Sequence, residues 1–217
     1  MGKNATYHVL HVRELSEGAY VLRFQRHGLQ FEPGQYVNVG LRGSIAMREY
    51  SVYSGADDDF LEILVREIAG GLVSRALRRC EPGDDLSVEG PYGSFVTDPA
   101  ERHRERYLFV GSGTGISPFH SLVRSYPDID YLLLHGVRTS QERFDREAFD
   151  PARSVFCVTR TPGGDYRGRV TDYLRAHPVD PSRRCYLCGN SDMIYQAFAV
   201  LRDQGVPRDR LHAEIYF

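Results

Sequence analysis

A glycine-rich turn between a buried strand and a helix constrains this chain more than any other feature of its sequence. Residues 107–110 form a short apolar run of the kind that fills a parallel sheet. Gly111, Gly113 and Gly115 follow at alternate positions and let the backbone turn sharply, while Pro118 suits the first turn of a helix. A strand, a glycine turn and a helix N-terminus together present N–H groups and a positive dipole end to an anion. The segment therefore predicts a phosphate-binding loop, with a glycine turn that holds no ligand as the alternative.

This loop differs from the two most familiar phosphate-binding motifs. Ile116 stands where the third glycine of the Rossmann fingerprint G-x-G-x-x-G would be. No Gly-Lys-Ser/Thr follows, so the loop is not a P-loop either. The loop by itself indicates an anion without identifying it.

The composition is that of an ordinary soluble globular protein. Of 217 residues, 41% are hydrophobic and 26% are charged, and this length allows one large domain or two small ones. The net charge of −2 gives no reason to expect a nucleic acid or a membrane surface as a partner. No apolar run approaches the ~20 residues of a membrane span, and the N-terminus lacks the apolar region of a signal peptide. We therefore expect a cytoplasmic protein without a membrane or nucleic-acid partner.

The cysteines predict neither a metal centre nor an iron–sulfur cluster. Cys185 and Cys188 form a C-x-x-C pair, but their surroundings read as a strand, in which such positions face opposite sides of the sheet. The sequence has no second Cys/His pair with ligand spacing and no C-x₄-C-x₂-C run. We expect no metal, and thiols that stay reduced as in the cytosol.

Short alternating apolar and polar runs fill the first part of the chain. The predicted strands are 7–12, 19–26, 35–40, 49–53, 60–65 and 85–88. Turn signals such as Glu32-Pro-Gly34 and Glu81-Pro-Gly83 separate them, and one helix is predicted over 71–79 with Leu72, Ala76 and Leu77 on one face. This spacing predicts an antiparallel barrel or sandwich.

The second part of the chain has a different organisation. Residues 97–106 are polar and charged without a strand pattern, which makes them the best linker candidate. The elements predicted beyond them are strands at 107–110, 131–136, 154–159, 185–187 and 213–216, alternating with helices at 118–125, 141–149, 169–176 and 191–204. That alternation predicts a doubly wound, mostly parallel sheet, whose ligands bind at the carboxyl ends of the strands.

A cation and an aromatic residue stand together in Arg48-Glu-Tyr-Ser51. On a strand, alternation places Arg48 and Tyr50 on one face, with Glu49 and Ser51 on the other. Arginine can hold a phosphate by a forked hydrogen bond and tyrosine can stack on a ring, so the pair would suit a phosphorylated ring system. A surface barrel strand with a cross-strand tyrosine is the alternative.

The order of five motifs extends this interpretation to the whole chain. They are Arg48-x-Tyr-Ser51, Gly71-Leu-Val-Ser74, Gly111-Ser-Gly-Thr-Gly-Ile-Ser-Pro118, Cys188-Gly-Asn-Ser-Asp-Met193 and Glu214-Ile-Tyr-Phe217. In this combination the chain resembles the ferredoxin–NADP⁺ reductase family, particularly its compact bacterial members. The resemblance implies an all-β antiparallel Greek-key barrel that binds FAD in residues 1–98. It implies an α/β, doubly wound, mostly parallel domain that binds NADP(H) in residues 99–217.

The resemblance assigns flavin-binding roles to residues of the first part. Arg48 would hold the FAD pyrophosphate, Tyr50 would pack on the isoalloxazine, and Ser51 would hydrogen-bond near its N5. Ser74 and the backbone N–H of Val73 would add pyrophosphate contacts at the start of the 71–79 helix, as anion binding at helix N-termini allows.

The same resemblance assigns roles near the reacting atoms to residues of the second part. Cys188 would lie beside the nicotinamide C4 and flavin N5 and align them rather than act as a nucleophile. Glu214 would assist proton movement or charge balance at the flavin. Tyr216 would cover the flavin ring and be displaced by the nicotinamide, with Phe217 against the adenine end of FAD.

Pyridine-nucleotide contacts complete the predicted site. By the resemblance, the residues at the nucleotide are Gly113, Thr114, Gly115, Pro118, Cys188, Gly189 and Met193. Arg138, Arg160 and Arg169 follow candidate strands or open the next helix, where cations would balance the 2′-phosphate of NADP(H). Thr159 would add a hydroxyl contact. We therefore expect NADP(H) rather than NAD(H).

The resemblance implies an FAD-dependent oxidoreductase that exchanges hydride with NADP(H) and single electrons with a partner. Because the chain has no iron–sulfur motif, the expected partner is a separate ferredoxin or flavodoxin. A reductase component of a multicomponent oxygenase and a free flavin reductase are close alternatives. A non-catalytic FAD-binding module is an alternative of a different class.

Overall fold

The computed structural model of the protein describes residues 6–216. Its contacts divide the chain into two compact units. The first runs to Val96 and includes His120–Ser125, and the second comprises Thr97–Phe119 and the residues from Tyr126 onward. The boundary predicted between residues 98 and 99 stays a prediction, because the contacts divide the chain at more than one position.

The first unit is an antiparallel barrel. Its elements are β1 (Tyr7–Ser16), β2 (Ala19–Gln25), β3 (Tyr36–Leu41), β4 (Arg48–Ser51), β5 (Phe60–Arg66), α1 (Leu72–Arg78) and β6 (Asp85–Tyr92). The six strands pair antiparallel in the order β4-β3-β6-β1-β2-β5. An antiparallel bridge between Val52 and Ile63, with Tyr53 N donating to Glu62 O at 2.7 Å, joins the two edge strands. The Greek-key barrel is therefore confirmed, and the sandwich alternative is wrong.

One face of α1 closes the barrel core, but it is not quite the predicted face. Val73 and Leu77 are buried in the cluster that includes Tyr20 and Ile63. Leu72, which we predicted to lie on the same face as Leu77, is 81% exposed. Val73 and Leu77 lie four residues apart and define the buried stripe, so Leu72 is rotated away from it by about 100°.

The second unit is built on a parallel sheet. Its elements are β7 (Arg106–Ser112), α2 (Ser117–Ser125, shared with the first unit), β8 (Asp130–Val137), β9 (Ser154–Val158), β10 (Tyr166–Arg167), α3 (Val170–Ala176), β11 (Arg184–Gly189), α4 (Ser191–Asp203) and β12 (Leu211–Ile215). The strand order is β10-β9-β8-β7-β11-β12, and every pair is parallel. The predicted α/β domain is confirmed, and β10 is a short strand that the sequence pattern did not predict.

The helix predicted over 141–149 is wrong. Two single 3₁₀ turns replace it, at Ser140–Glu142 and Arg146–Ala148. Between them Asp145 has a φ of 43°, which breaks any continuous helix. Phe144 and Phe149 on either side are both buried, so an irregular loop satisfies the apolar pattern that suggested a helix.

The strand order reverses direction beside β7. The chain passes outward from β7 through β8 and β9 to β10, and then returns to the other side of β7 to form β11. In open α/β sheets, ligands bind outside the carboxyl ends of the strands at such a reversal. Those ends are Gly111–Ser112 of β7 and Cys188–Gly189 of β11, and the register pairs Gly111 with Cys188.

The four cysteines form no disulfide in the described part of the chain. Cys80, Cys157, Cys185 and Cys188 are all free and buried. Within residues 6–216, no helix has the length and apolar character needed to cross a membrane.

Candidate functional site

The Arg48-Glu-Tyr-Ser51 motif forms β4, and burial increases along the strand. Arg48 is exposed, Tyr50 is half-buried and Ser51 is buried. Burial, opposed by the nearby Arg48 guanidinium, raises the pKa of Tyr50 to about 12. Tyr50 is therefore a neutral aromatic ring beside a permanent cation, which is the pair of chemistries that a phosphorylated ring system needs.

Tyr20 connects this strand to the start of α1. Its hydroxyl donates to Ser74 O at 2.5 Å. Burial is the main cause of its raised pKa, and the neighbouring Tyr50 contributes. Val73 and Tyr50 pack in one apolar cluster. The structure thus brings the predicted residues of β4 and α1 into one part of the barrel, through a residue that sequence reasoning did not select.

Ser74 is engaged within the protein. Its side-chain oxygen accepts a hydrogen bond from Ile68 N at 3.2 Å, and the residue is 6% exposed. This bond holds the loop that leads into α1. Ser74 therefore stabilises that loop, and the contact predicted between Ser74 and the FAD pyrophosphate would come in addition.

The glycine loop packs directly against the end of β11. A Cβ atom on Gly115 would lie 2.6 Å from the carbonyl carbon of Cys188 and 2.7 Å from Gly189 Cα. Asn190 N donates to Ser112 Oγ at 3.0 Å, which closes the contact from the other side. Gly189 itself has a φ of 125°, a conformation that favours glycine. Glycine at 115 and 189 is therefore required by close approach of two backbones.

Two side chains hold carbonyl groups of this loop. His135, at the end of β8, contacts Gly113 O through Nε2 at 2.8 Å, and Ser117 Oγ donates to Thr114 O at 2.7 Å. A loop whose carbonyls are bound inside the protein is suited to present N–H groups to an anion. Sequence reasoning missed both residues, because their role depends on which strands are neighbours.

Cys188, Glu214 and Tyr216 meet at the ends of β11 and β12. The register pairs Cys188 with Glu214, and Tyr216 N donates to Gly189 O at 2.9 Å. Cys188 is 0% exposed, and burial raises the pKa of its thiol well above the ordinary value. The Glu214 carboxylate raises this pKa further, while a side-chain hydrogen bond with Tyr216 opposes the shift. The thiol is therefore neutral; Phe217 lies outside the described residues.

The three predicted arginines lie on adjacent loops and are all exposed. Arg160 N donates to Arg138 O at 2.8 Å, which joins the loops after β8 and β9. Gly168 N donates to Val158 O at 3.1 Å and holds Arg169 close to the same strand end. Thr159 Oγ1 donates to Val137 O at 3.2 Å, so its only hydroxyl proton is already used within the protein.

The last two predicted residues lie in the first turns of helices. Pro118 is the second residue of α2 and is buried. Met193 is the third residue of α4, where its N–H donates to Asn190 Oδ1 at 3.3 Å. The Met193 side chain is half-buried and packs against the core of the second unit.

Two family descriptions match most of the chain. Residues 8–97 match the family described as Oxidoreductase FAD-binding domain, and residues 109–198 match Oxidoreductase NAD-binding domain. Ferredoxin–NADP reductase B of Sorangium cellulosum is 30% identical over 232 residues, which cover 94% of each chain. The chain belongs to the ferredoxin reductase-type family of FAD/NAD(P)-binding oxidoreductases. Within this family it is an enzyme with an FAD-binding and an NAD(P)-binding domain.

Other members of the family differ in length and context. The toluate 1,2-dioxygenase electron transfer component of Pseudomonas putida is 28% identical, but the match covers 91% of this chain and only 63% of that relative. A cytochrome P450 reductase from Amycolatopsis superposes with a TM-score of 0.87 at 28% identity, over 97% of this chain and 68% of the other. A ferredoxin NADP⁺ reductase from Neisseria gonorrhoeae, solved with FAD and NADP, has the same fold, with a TM-score of 0.87 at 22% identity and 100% of both chains covered.

The residues of each unit fit the cofactors of the family. In the first unit, the donor set at β4 pairs an exposed guanidinium with a neutral aromatic ring. In the second unit, the glycine loop is a cradle that a Cβ at Gly115 would disrupt, and exposed arginines follow the neighbouring strands. An anionic dinucleotide needs both a backbone cradle for its phosphates and cationic side chains near them.

We predict that Gly115→Ala raises the KM for NADPH on the order of 10–100-fold, because the new Cβ forces the loop away from the end of β11. FAD content, read from the absorbance of the purified protein, is expected to stay unchanged. Steady-state kinetics with NADPH and an artificial acceptor measure the effect.

The matched control for this prediction is Gly18→Ala. Apart from residue 18 and its two chain neighbours, no residue comes within 4 Å of a Cβ placed on Gly18, so this variant is expected to keep the wild-type KM. Equal KM values for Gly115→Ala and Gly18→Ala would show that the contact does not support nucleotide binding.

Proposed function

We propose that this enzyme exchanges hydride with NADP(H) and passes single electrons to or from a separate ferredoxin or flavodoxin. One observation carries the proposal: the strand register places Cys188 and Glu214 side by side, immediately next to the glycine loop at the reversal of strand order. FAD, when bound, supplies the conversion between two-electron and one-electron transfer. The protein supplies binding, orientation and exclusion of water.

We assign flavin binding to the first unit. The exposed Arg48 guanidinium offers forked N–H donors to the pyrophosphate, and the neutral Tyr50 ring offers a packing surface. Ser51 would hydrogen-bond near the flavin N5. The N–H of Val73 and the residue Ser74 would contact the pyrophosphate at the start of α1.

We assign the pyridine nucleotide to the second unit. Gly113, Thr114 and Gly115 would hold its phosphates, with Pro118 setting the first turn of α2. The other contacts would come from Cys188, Gly189 and Met193 at the end of β11 and the start of α4.

The cluster of Cys188, Glu214 and Tyr216 would act at the reacting rings. Since burial keeps the Cys188 thiol protonated, this residue orients the nicotinamide and forms no covalent bond to it. The Glu214 carboxylate would hold or move a proton. Tyr216, already hydrogen-bonded to Cys188, would cover the ring position until the nicotinamide takes its place.

The preference for NADP(H) rests on the three exposed arginines. A 2′-phosphate dianion needs cationic donors, and Arg138, Arg160 and Arg169 stand on loops that the backbone ties together. Because the Thr159 hydroxyl is already bonded to Val137 O, the arginines carry this recognition rather than Thr159.

The proposed electron partner follows from the relatives. The Sorangium relative is named a ferredoxin–NADP reductase and matches this chain over 94% of its length. A second candidate function, as the reductase component of an oxygenase system, is favoured by the similarity to the toluate dioxygenase component. That relative is matched over only 63% of its length, so we prefer a separate ferredoxin or flavodoxin.

Anaerobic turnover with NADPH tests the proposed partner. Ferredoxin, flavodoxin, free FMN and an oxygenase component are supplied in turn as electron acceptors, and kcat/KM is measured for each. We expect ferredoxin or flavodoxin to exceed free FMN by about tenfold or more. A preference for free FMN would instead identify a flavin reductase, and activity only with an oxygenase component would favour the second candidate.

We predict that Arg160→Ala lowers kcat/KM for NADPH by about tenfold while leaving the value for NADH unchanged, because one charged hydrogen bond to the 2′-phosphate is lost. Arg104→Ala is the matched control, since Arg104 is an exposed arginine in the 97–106 segment. A parallel loss with both nucleotides would contradict the assignment of Arg160 to the 2′-phosphate.

A further inference from the structure

His135 is a buried histidine that the proposed mechanism does not use. It lies at the end of β8, is 0% exposed, and pairs in register with Gly111, the first glycine of the loop. Its Nε2 lies 2.8 Å from Gly113 O. A titratable side chain in this position acts directly on the glycine loop.

The contacts of His135 determine where its proton is. A carbonyl oxygen only accepts, so Nε2 carries the proton and donates to Gly113 O. Nδ1 is buried and has no hydrogen-bond partner among residues 6–216. The ring of Phe156 packs edge-on at 5.7 Å, and burial lowers the pKa of His135 to about 4. The imidazole is therefore neutral at pH 7, in one tautomer.

This hydrogen bond fixes the direction of a neighbouring N–H group. Among the described residues, the one cis peptide bond is Gly90–Pro91, so the bond from Gly113 to Thr114 is trans. In a trans peptide plane the carbonyl and the following N–H point in opposite directions. With Gly113 O held by His135, the Thr114 N–H points away from the imidazole.

A second bond supports the same orientation one residue later. Ser117 Oγ donates to Thr114 O, so the Gly115 N–H points away from Ser117. Gly113 has a φ of 55° and begins a 3₁₀ turn that runs over Gly113–Ile116. The His135 bond adds a side-chain restraint on the Gly113 carbonyl within this turn.

We propose that His135 is a positioning residue whose Nε2–H holds the Gly113 carbonyl so that the Thr114 N–H is directed at a phosphate of the pyridine nucleotide. This inference rests on the proposed assignment of the glycine loop to NADP(H). It adds a residue outside the loop and outside the arginines to the determinants of nucleotide affinity.

The test compares His135→Phe, which keeps a planar ring without the donor, with His135→Gln, whose amide N–H reaches a similar position. NADP⁺ affinity is measured by flavin difference spectroscopy on the FAD-loaded protein, together with kcat at saturating NADPH. We expect His135→Phe to raise Kd by about threefold to tenfold with little change in kcat, and His135→Gln to restore most of the affinity. The exposed His103→Phe is the matched control and is expected to bind like the wild type.

Two outcomes would overturn the inference in distinguishable ways. If the wild type binds NADP⁺ and His135→Phe binds equally well, His135 has no positioning role and the proposed function stands. If the wild type itself does not bind NADP⁺, the proposed function is wrong, and the inference about His135 is rejected with it. Should His135→Phe not fold, ¹⁵N NMR of the wild-type imidazole decides: a neutral ring protonated at Nε2 supports the inference, and a charged ring or an Nδ1–H tautomer overturns it.

Discussion

The close contact between the glycine loop and the end of β11 is the constraint on which the candidate site depends. Parallel pairing sets Gly111 beside Cys188, and the chain must then turn within a few residues to start α2. The turn passes so near to the Cys188 carbonyl that position 115 has no room for a side chain. The same parallel register places Glu214 beside Cys188, so the loop and the ends of β11 and β12 lie at one edge of the sheet.

The polar groups around this contact have complementary tasks. His135 and Ser117 bind carbonyls of the loop, which leaves its N–H groups directed elsewhere. Exposed arginines on the adjacent loops add positive charge. The buried thiol of Cys188, in contrast, is neutral, so it is not suited to nucleophilic attack.

Periodicity in the sequence predicted an antiparallel first unit and a parallel second unit, because alternation and βαβ order report burial directly, while the choice of a barrel over a sandwich came from the family resemblance. The helix predicted over 141–149 was wrong because an apolar pattern fits a helix and an irregular loop equally well, and the left-handed Asp145 allows only the loop. The buried face of α1 was wrong by one residue, because Val73 and not Leu72 is buried together with Leu77. The roles of Tyr20 and His135 could not be predicted, since the residues that they contact, Ser74 and Gly113, are distant from them in sequence. The roles of the residues that do match the family motifs come from resemblance, and they remain predictions.

Hydride exchange with NADP(H) is the central claim, and transfer from labelled nucleotide tests it most directly. FAD-loaded protein is mixed anaerobically with NADPH deuterated at one or the other position of nicotinamide C4, and the absorbance of oxidised flavin is followed in a single turnover. We expect both reagents to bleach the flavin, and one of the two to do so more slowly because its transferred hydrogen is deuterium. Absence of bleaching with either reagent would contradict hydride exchange with NADP(H).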